Sequence, residues 1–185
     1  KRVELNGAKE SGVTAFWISC QNGYSEIVKI LLNDKRVDIT KSKENGVTPF
    51  FAACQSGHVE VMKLLLNDER VDVNKINSTD GATPFAIACQ NNHLEVVQTL
   101  LKDERIDVNR AKDNSCTPFY IVCQNGHFEI VKLLLSDQRV DLNKADSYAA
   151  TPFIVACLRG HVEIVKLLRA NEKVDVLQVN KNGVT

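Results

Sequence analysis

With 185 residues, 23 basic and 23 acidic side chains and a formal net charge of zero, the chain lacks the basic excess that marks a nucleic-acid binder. No apolar run approaches the roughly 18 residues of a membrane span, and no stretch reads as a secretory leader. The repeating pattern is already under way at Lys1, which leaves a leader on a longer parent chain open.

Thr14, Thr48, Thr83, Thr117, Thr151 and Thr185 follow one another at intervals of 34, 35, 34, 34 and 34 residues, each in the same local context. A self-similar period in this range predicts stacked units, each touching only its neighbours, with a core that runs lengthwise. Residues 1–8, with Val3-Glu4-Leu5-Asn6, read as the tail of a preceding unit. A first helix pair is expected over 14–34 and a second over 48–68. In the second unit Asn45-Gly46 signals a tight turn. Thr48 then offers a hydroxyl cap and Pro49 suits the first helical turn. Phe50, Ala53 and Cys54 form an apolar face, and Gly57 ends the helix in the left-handed region. A second helix buries Val59, Val61, Met62, Leu65 and Leu66, after which Val71-Asp72-Val73-Asn74 is expected to leave extended. Further pairs are expected over 83–103, 117–137 and 151–171, with one extra turn residue near Ile76 to Asp80. Residues 172–185 start another unit, opened by Asn182-Gly183-Val184-Thr185. The pattern begins and stops mid-unit, so a fragment of a longer array is expected. Helices of about nine residues are too short to persist alone, so stacking must hold them.

All four prolines share one repeat position and all four histidines another. Such periodicity points to scaffold roles, with the histidines bonding backbone between the two helices of a unit. Successive histidines stand about 10 Å apart along a stack, too far to share a zinc ion, so no metal or other cofactor is expected. Cys20, Cys54, Cys89, Cys123 and Cys157 occupy equivalent positions and read as inert buried thiols, whereas Cys116 reads as an exposed turn cysteine. Packed helices are too far apart for a disulfide ladder, and free thiols suit the cytosol or nucleus. Asn77-Ser78-Thr79 matches a glycosylation sequon, against which the thiols argue.

Turn, Thr-Pro, helix, Gly-His, helix and Val-Asp-Val-Asn together resemble the ankyrin repeat. Gly46-Val47-Thr48-Pro49-Phe50 and Gly57-His58-Val59-Glu60-Val61-Met62-Lys63-Leu64-Leu65-Leu66 carry the likeness, which extends over the whole chain. The resemblance implies an all-α solenoid of helix-turn-helix units joined by hairpin-like loops, forming one domain over 1–185. The family's usual 33-residue period becomes 34 here, through one residue added around Asn67-Asp68-Glu69-Arg70. Where the family carries Thr-Pro-Leu-His, the histidine slot holds Trp17, Phe51, Ala86, Tyr120 and Ile154, so hydrogen bonding near the turn must differ. Asn6, Asn74, Asn109 and Asn143 match an asparagine that an oxygenase hydroxylates in some members, while Thr40 and Leu177 break the pattern. The resemblance permits that modification here.

The resemblance also implies a partner on a concave face built from turn tips and the exposed side of each first helix. Carried over, the first unit contributes Glu10, Ser11, Val13, Gln21 and Asn22, and the second Glu44, Asn45, Val47, Gln55 and Ser56. Thr79, Asp80, Ala82, Gln90 and Asn91 follow in the third, then Asp113, Asn114, Cys116, Gln124 and Asn125 in the fourth. The fifth presents Ser147, Tyr148, Ala150, Leu158 and Arg159, and departs most from the others. Tyr148, Leu158 and Arg159 therefore read as a hot spot, since aromatic residues and arginine dominate interfaces. Alternatively they mark the approach of an array end, as Arg169 does in place of a leucine. The Asp-x-Arg corners, Asp34 with Arg36 through Asp137 with Arg139, read as surface ion pairs that keep neighbouring units in register or, alternatively, as an acidic-basic docking strip.

No phosphate loop, H-E-x-x-H helix or nucleophile elbow occurs, so no enzymatic activity is expected. A non-catalytic scaffold for a protein or peptide partner is the leading reading. A structural spacer, or end-to-end self-association, is its rival.

Overall fold

The structure, a computed structural model, describes residues 6–8 and 11–178. The expected elements at Val3–Leu5 and Asn182–Thr185, and the candidate Glu10, lie outside the described residues. Among the described residues, ten helices of 7 to 9 residues form five antiparallel pairs. They are α1 (Ala15–Gln21) and α2 (Ser25–Asn33), α3 (Pro49–Ser56) and α4 (Val59–Leu66), and α5 (Pro84–Gln90) and α6 (Leu94–Leu100). The last two pairs are α7 (Pro118–Asn125) with α8 (Phe128–Leu135), and α9 (Pro152–Leu158) with α10 (Val162–Arg169). Each pair falls inside its expected span, and the described chain is all-helical apart from turns and loops.

Every first helix begins where a threonine supplies a cap. The hydroxyls of Thr14, Thr48, Thr83, Thr117 and Thr151 accept the backbone N–H three residues on, at 3.0–3.2 Å. Loss of such a cap typically costs about 1 kcal/mol. Gly57 and Gly126 close α3 and α7 with φ of 75° and 79°, and Asn92 takes the left-handed role in the third unit at 60°.

First helices stack on first helices and second helices on second helices, α1 on α3 and so on to α9. A central first helix is covered on nearly every side: Pro49 to Cys54 are all buried in α3. Its partner α4 buries only Val61, Met62, Leu65 and Leu66 and leaves Glu60 and Lys63 to pair at 3.2 Å in solvent. Equivalent positions differ in which neighbour covers them. Ile18 is 42% exposed, while its counterparts Ala52, Ile87, Ile121 and Val155 are buried, so this position is covered by the preceding unit. The cysteine position faces the other way, towards the following unit. One continuous apolar core links Phe16 to Val174.

Polar groups repeat along the stack as regularly as apolar ones. The Asp34–Arg36, Asp68–Arg70, Asp103–Arg105 and Asp137–Arg139 pairs form at 2.6–2.7 Å. Three of these arginines also reach back a unit, to the carbonyls of Leu32, Leu66 and Leu101 at 3.3, 2.7 and 2.8 Å. A second ladder is built by asparagines. Asn74 donates its amide to the Arg105 carbonyl (2.6 Å) and accepts the Asp107 N–H (2.9 Å). Asn6, Asn109 and Asn143 make the same two bonds to the next unit. The tails are not extended throughout: Val73 and Asn74 lie in a turn because the Asp72 carboxylate accepts the Asn74 N–H at 3.0 Å.

Leu65 is fully buried at the centre of the core. Leu65→Ala should lower the unfolding free energy by about 2–5 kcal/mol, read as a lower urea midpoint; an unchanged midpoint would contradict this packing. Acid should act through the corners. Hydrogen bonds from Arg36 and Arg70 push the Asp34 and Asp68 carboxyls down to about 2. Asp103 and Asp137 are lowered by Arg105 and Arg139 in the same way. Because the folded values lie below the roughly 3.9 of a free aspartate, this stabilisation is complete above about pH 4 and is lost as pH falls towards 2. Urea midpoints should fall over that window, and an Arg70→Gln, Arg105→Gln variant should show a shallower fall.

Candidate functional site

The ends of the first helices form a ledge that crosses the units. Each helix leaves carbonyls at its C-terminus without intrahelical donors, and the next unit supplies one. Nε2 of His58, His93, His127 and His161 lies 2.9–3.0 Å from the carbonyls of Gln21, Gln55, Gln90 and Gln124. A carbonyl only accepts, so Nε2 carries the proton. The histidines thus bind the preceding unit rather than bridging the two helices of their own. Spacing within one unit shows that the histidine is structural but does not show which unit it serves. Glycine lies under three of the four rings, where a Cβ on Gly57 would lie 2.6 Å from His93 Nδ1 and one on Gly23 equally close to His58, while His127 makes the same bond over Asn92 in the left-handed conformation.

Turn tips form the second rim. Lys43, Lys112 and Asp146 donate their N–H to the carbonyls of Val47, Cys116 and Ala150, closing three equivalent hairpin-like loops. In the third unit Asn77 reaches Ala82 instead, across the expected extra residue. Asn77 is itself buried and its side-chain oxygen accepts the Asp80 and Ala82 N–H groups, which leaves the sequon asparagine occupied. Successive tips are joined by Glu44 N–H to the Ser11 carbonyl, Ser78 to Asn45 and Asp113 to Asp80. Lys112 pairs with Asp80 and donates to Gln90 Oε1 at 3.0 Å, tying a tip to the ledge.

Among the candidates, Ser11, Gln21, Asn22, Glu44, Asn45, Gln55, Asn91, Asp113, Asn114 and Asn125 are exposed, while Val13, Ser56, Gln90 and Gln124 are half-buried. Two amides already have scaffold duties: Asn91 donates to the Gln55 carbonyl at 2.9 Å and Asn125 to that of Gln90 at 3.3 Å. Val47, Ala82, Cys116 and Ala150 are buried, which removes them from any contact surface. They follow the residue at the tip, where the chain turns inward to pack beneath the loop.

Tyr148 is 74% exposed and Leu158 64%. Arg159 is exposed and caps α9, with its charge bearing on the Tyr120 hydroxyl. Beside Tyr148, Ala149 holds φ at 61°, the left-handed conformation that Gly46 adopts at the same position and that strains a residue with a Cβ. Ser115 does so at 65° in the fourth unit. The histidine slot is filled by other polar contacts in two units. Trp17 Nε1 donates to the Val47 carbonyl at 2.9 Å, with Lys43 4.6 Å above its ring. Tyr120 donates its hydroxyl to Asp146 at 2.9 Å, and burial with that carboxylate raises its pKa. The bulky residues in that slot signal packing, but their long-range partners leave no local trace in the sequence.

The cysteines need two corrections. Cys116 is 6% exposed, and burial pushes its thiol up to about 11. Cys157 is exposed, unlike Cys20, Cys54, Cys89 and Cys123, because the described residues place no following helix over it. Among the described residues, no group of three or more His, Cys, Asp or Glu side chains stands ready to hold a metal. Nor is any described helix long and apolar enough to cross a membrane.

Comparison with known families gives a match to the one described as ankyrin repeats (3 copies), over residues 16–112 and 104–180. No curated protein matches the chain.

Native labelling with a thiol-specific maleimide should modify Cys157 first, and Cys157→Ser should leave only slow reaction. Rapid modification of Cys116 in the folded protein would contradict its placement.

Proposed function

The chain belongs to the ankyrin-repeat family, and we propose that it is a non-catalytic scaffold holding a protein or peptide partner along its concave face. Ankyrin repeats are in general protein–protein interaction modules. The observation that carries the finer reading is how the polar groups divide. The periodic ones (threonine caps, His–carbonyl bonds, arginine corners, asparagine rungs) are consumed by the stack. What departs from the repeat is exposed: Tyr148 at the tip, next to Ala149 in the left-handed conformation, and Leu158 followed by Arg159 at the end of α9. Exposed aromatic and arginine side chains are the types that anchor interfaces, and strained backbone collects at functional sites. Along the preceding units the side chains of Gln21, Asn22 and Gln55, and the amide N–H groups of Asn45 and Asn114, whose oxygens accept the Val47 and Cys116 N–H, offer hydrogen bonds on a rack ordered before binding, so that little entropy is lost on association.

Zero net charge supports a protein partner rather than a nucleic acid. Unpaired thiols suit the cytosol or nucleus. Exposed Ile18, Ile27 and Ile30 on the first unit favour a second reading, end-to-end association of an array that spaces other domains.

Affinity capture from source lysate should retain a partner that a Tyr148→Ala, Leu158→Gln, Arg159→Ser variant of equal helicity loses at least tenfold. Identical capture by both would remove the fifth unit as the site. Empty captures together with concentration-dependent sedimentation would favour self-association.

A further inference from the structure

The asparagine ladder misses one rung. At the junction between the first and second tails Thr40 stands where the other described junctions carry Asn6, Asn74, Asn109 and Asn143. By the 30–31-residue step of the other rungs, the groups Thr40 would have to bridge are the Arg70 carbonyl and the Asp72 N–H. It does not reach them. Its hydroxyl turns back to Asp38 Oδ1 of its own tail, at 2.8 Å. Among the described residues, no side chain closes the Arg70 carbonyl or the Asp72 N–H, although Asn74 closes their equivalents, Arg105 and Asp107, one unit on.

A cleft opens at the same junction. It has a cavity volume of about 250 Å3, with Thr40 on one wall and Arg70, Val71 and Asp72 on the other. Ile39 and Phe50 line it as well. Thr48 also lines it and is only half-buried, whereas the capping threonines 14, 83, 117 and 151 are buried. A cavity of about 210 Å3 also lies at the junction of the fourth and fifth tails, where Asn143 keeps its rung, so the first junction is set apart by its open carbonyl and N–H rather than by room alone.

We propose that this cleft binds a primary carboxamide, the group that the missing asparagine would have supplied. The reason is complementarity. One carbonyl and one N–H, two residues apart on the same wall, ask for one donor and one acceptor on a single planar group, as the four intact rungs supply. A carboxylate would be drawn by Lys75 and Arg70, which also line the cleft, but it offers only acceptors and leaves the Arg70 carbonyl without a donor; an ammonium or guanidinium offers only donors and is repelled by the same two side chains. Ile39, Phe50 and Val71 provide apolar cover for the carbon to which the amide is attached. The cleft has room for on the order of eight waters, more than a bare carboxamide needs. The amide can therefore come from an asparagine or glutamine side chain of a peptide or from a small amide solute. This site is separate from the fifth unit, and its failure would leave the scaffold reading intact.

The test follows the backbone N–H of Asp72 in 1H–15N spectra of the whole chain. Acetamide represents a free amide, N-acetyl-asparagine N′-methylamide a peptide-borne one, and N-acetyl-aspartate N′-methylamide is the acidic control. Saturable shifts of Asp72 with both amides would assign a side chain as occupant, and shifts with acetamide alone a small solute. In Thr40→Asn the built-in rung should abolish the response while the denaturation midpoint holds or rises. Should that variant fold poorly, Asn109→Thr should open the same response at the Asp141 N–H, whose rung it removes. A silent Asp72, an equal response to the acidic control, or a response that survives Thr40→Asn would each overturn the proposal.

Discussion

From the second unit on, each unit of this protein is fixed to the one before it by an imidazole that closes a carbonyl at the end of the preceding first helix. Helices of 7 to 9 residues cannot hold themselves, so the contact between neighbours must both bury apolar surface and complete the backbone bonds that short helices leave open. The His93 ring does both: it packs over Gly57, where a Cβ would clash, and its Nε2 closes the Gln55 carbonyl at the end of α3. The spacing of the stack, the seating of the core and the position of the exposed ledge all depend on that approach. Where the glycine is absent, Asn92 takes over the left-handed backbone, so the constraint lies in the conformation rather than in one residue type.

Much of the fold is legible in the sequence because every unit repeats the same local instructions. Thr48, Pro49 and Gly57 mark the start and stop of α3 by short-range chemistry, and Val61, Met62 and Leu65 declare a buried face by their spacing. Less legible is anything that depends on which neighbour lies alongside. Reading Cys157 from its counterparts makes it buried, since periodicity treats all units alike, yet burial at that position is supplied by the following helix. Cys116 errs the other way: turn residues look exposed, but the residue after the tip is drawn under the loop. Val47, Ala82 and Ala150 leave the candidate surface for the same reason. The candidate site is visible only where the repeat is broken. Tyr148 and Leu158 stand out as exceptions and are exposed, whereas Asn91 and Asn125 look like free amides and serve the stack.

A general division of labour emerges from the departures. Groups that recur at fixed phase form inter-unit bonds, and their removal is a structural event. Groups that break the repeat, Thr40, Tyr148 and Leu158 among them, mark places where the stack leaves a bond unmade or a large side chain in water. Those sites have the least structural reason to be as they are, and hence the most room for a functional one.

Amide hydrogen exchange of the His93→Ala variant tests the central claim most directly. If the imidazole fixes the preceding unit, protection should fall at the end of α3, at the Gly57 and His58 amides that close it, well before it falls in α9. Unchanged protection at α3, with losses confined to the second helix that follows residue 93, would contradict the account.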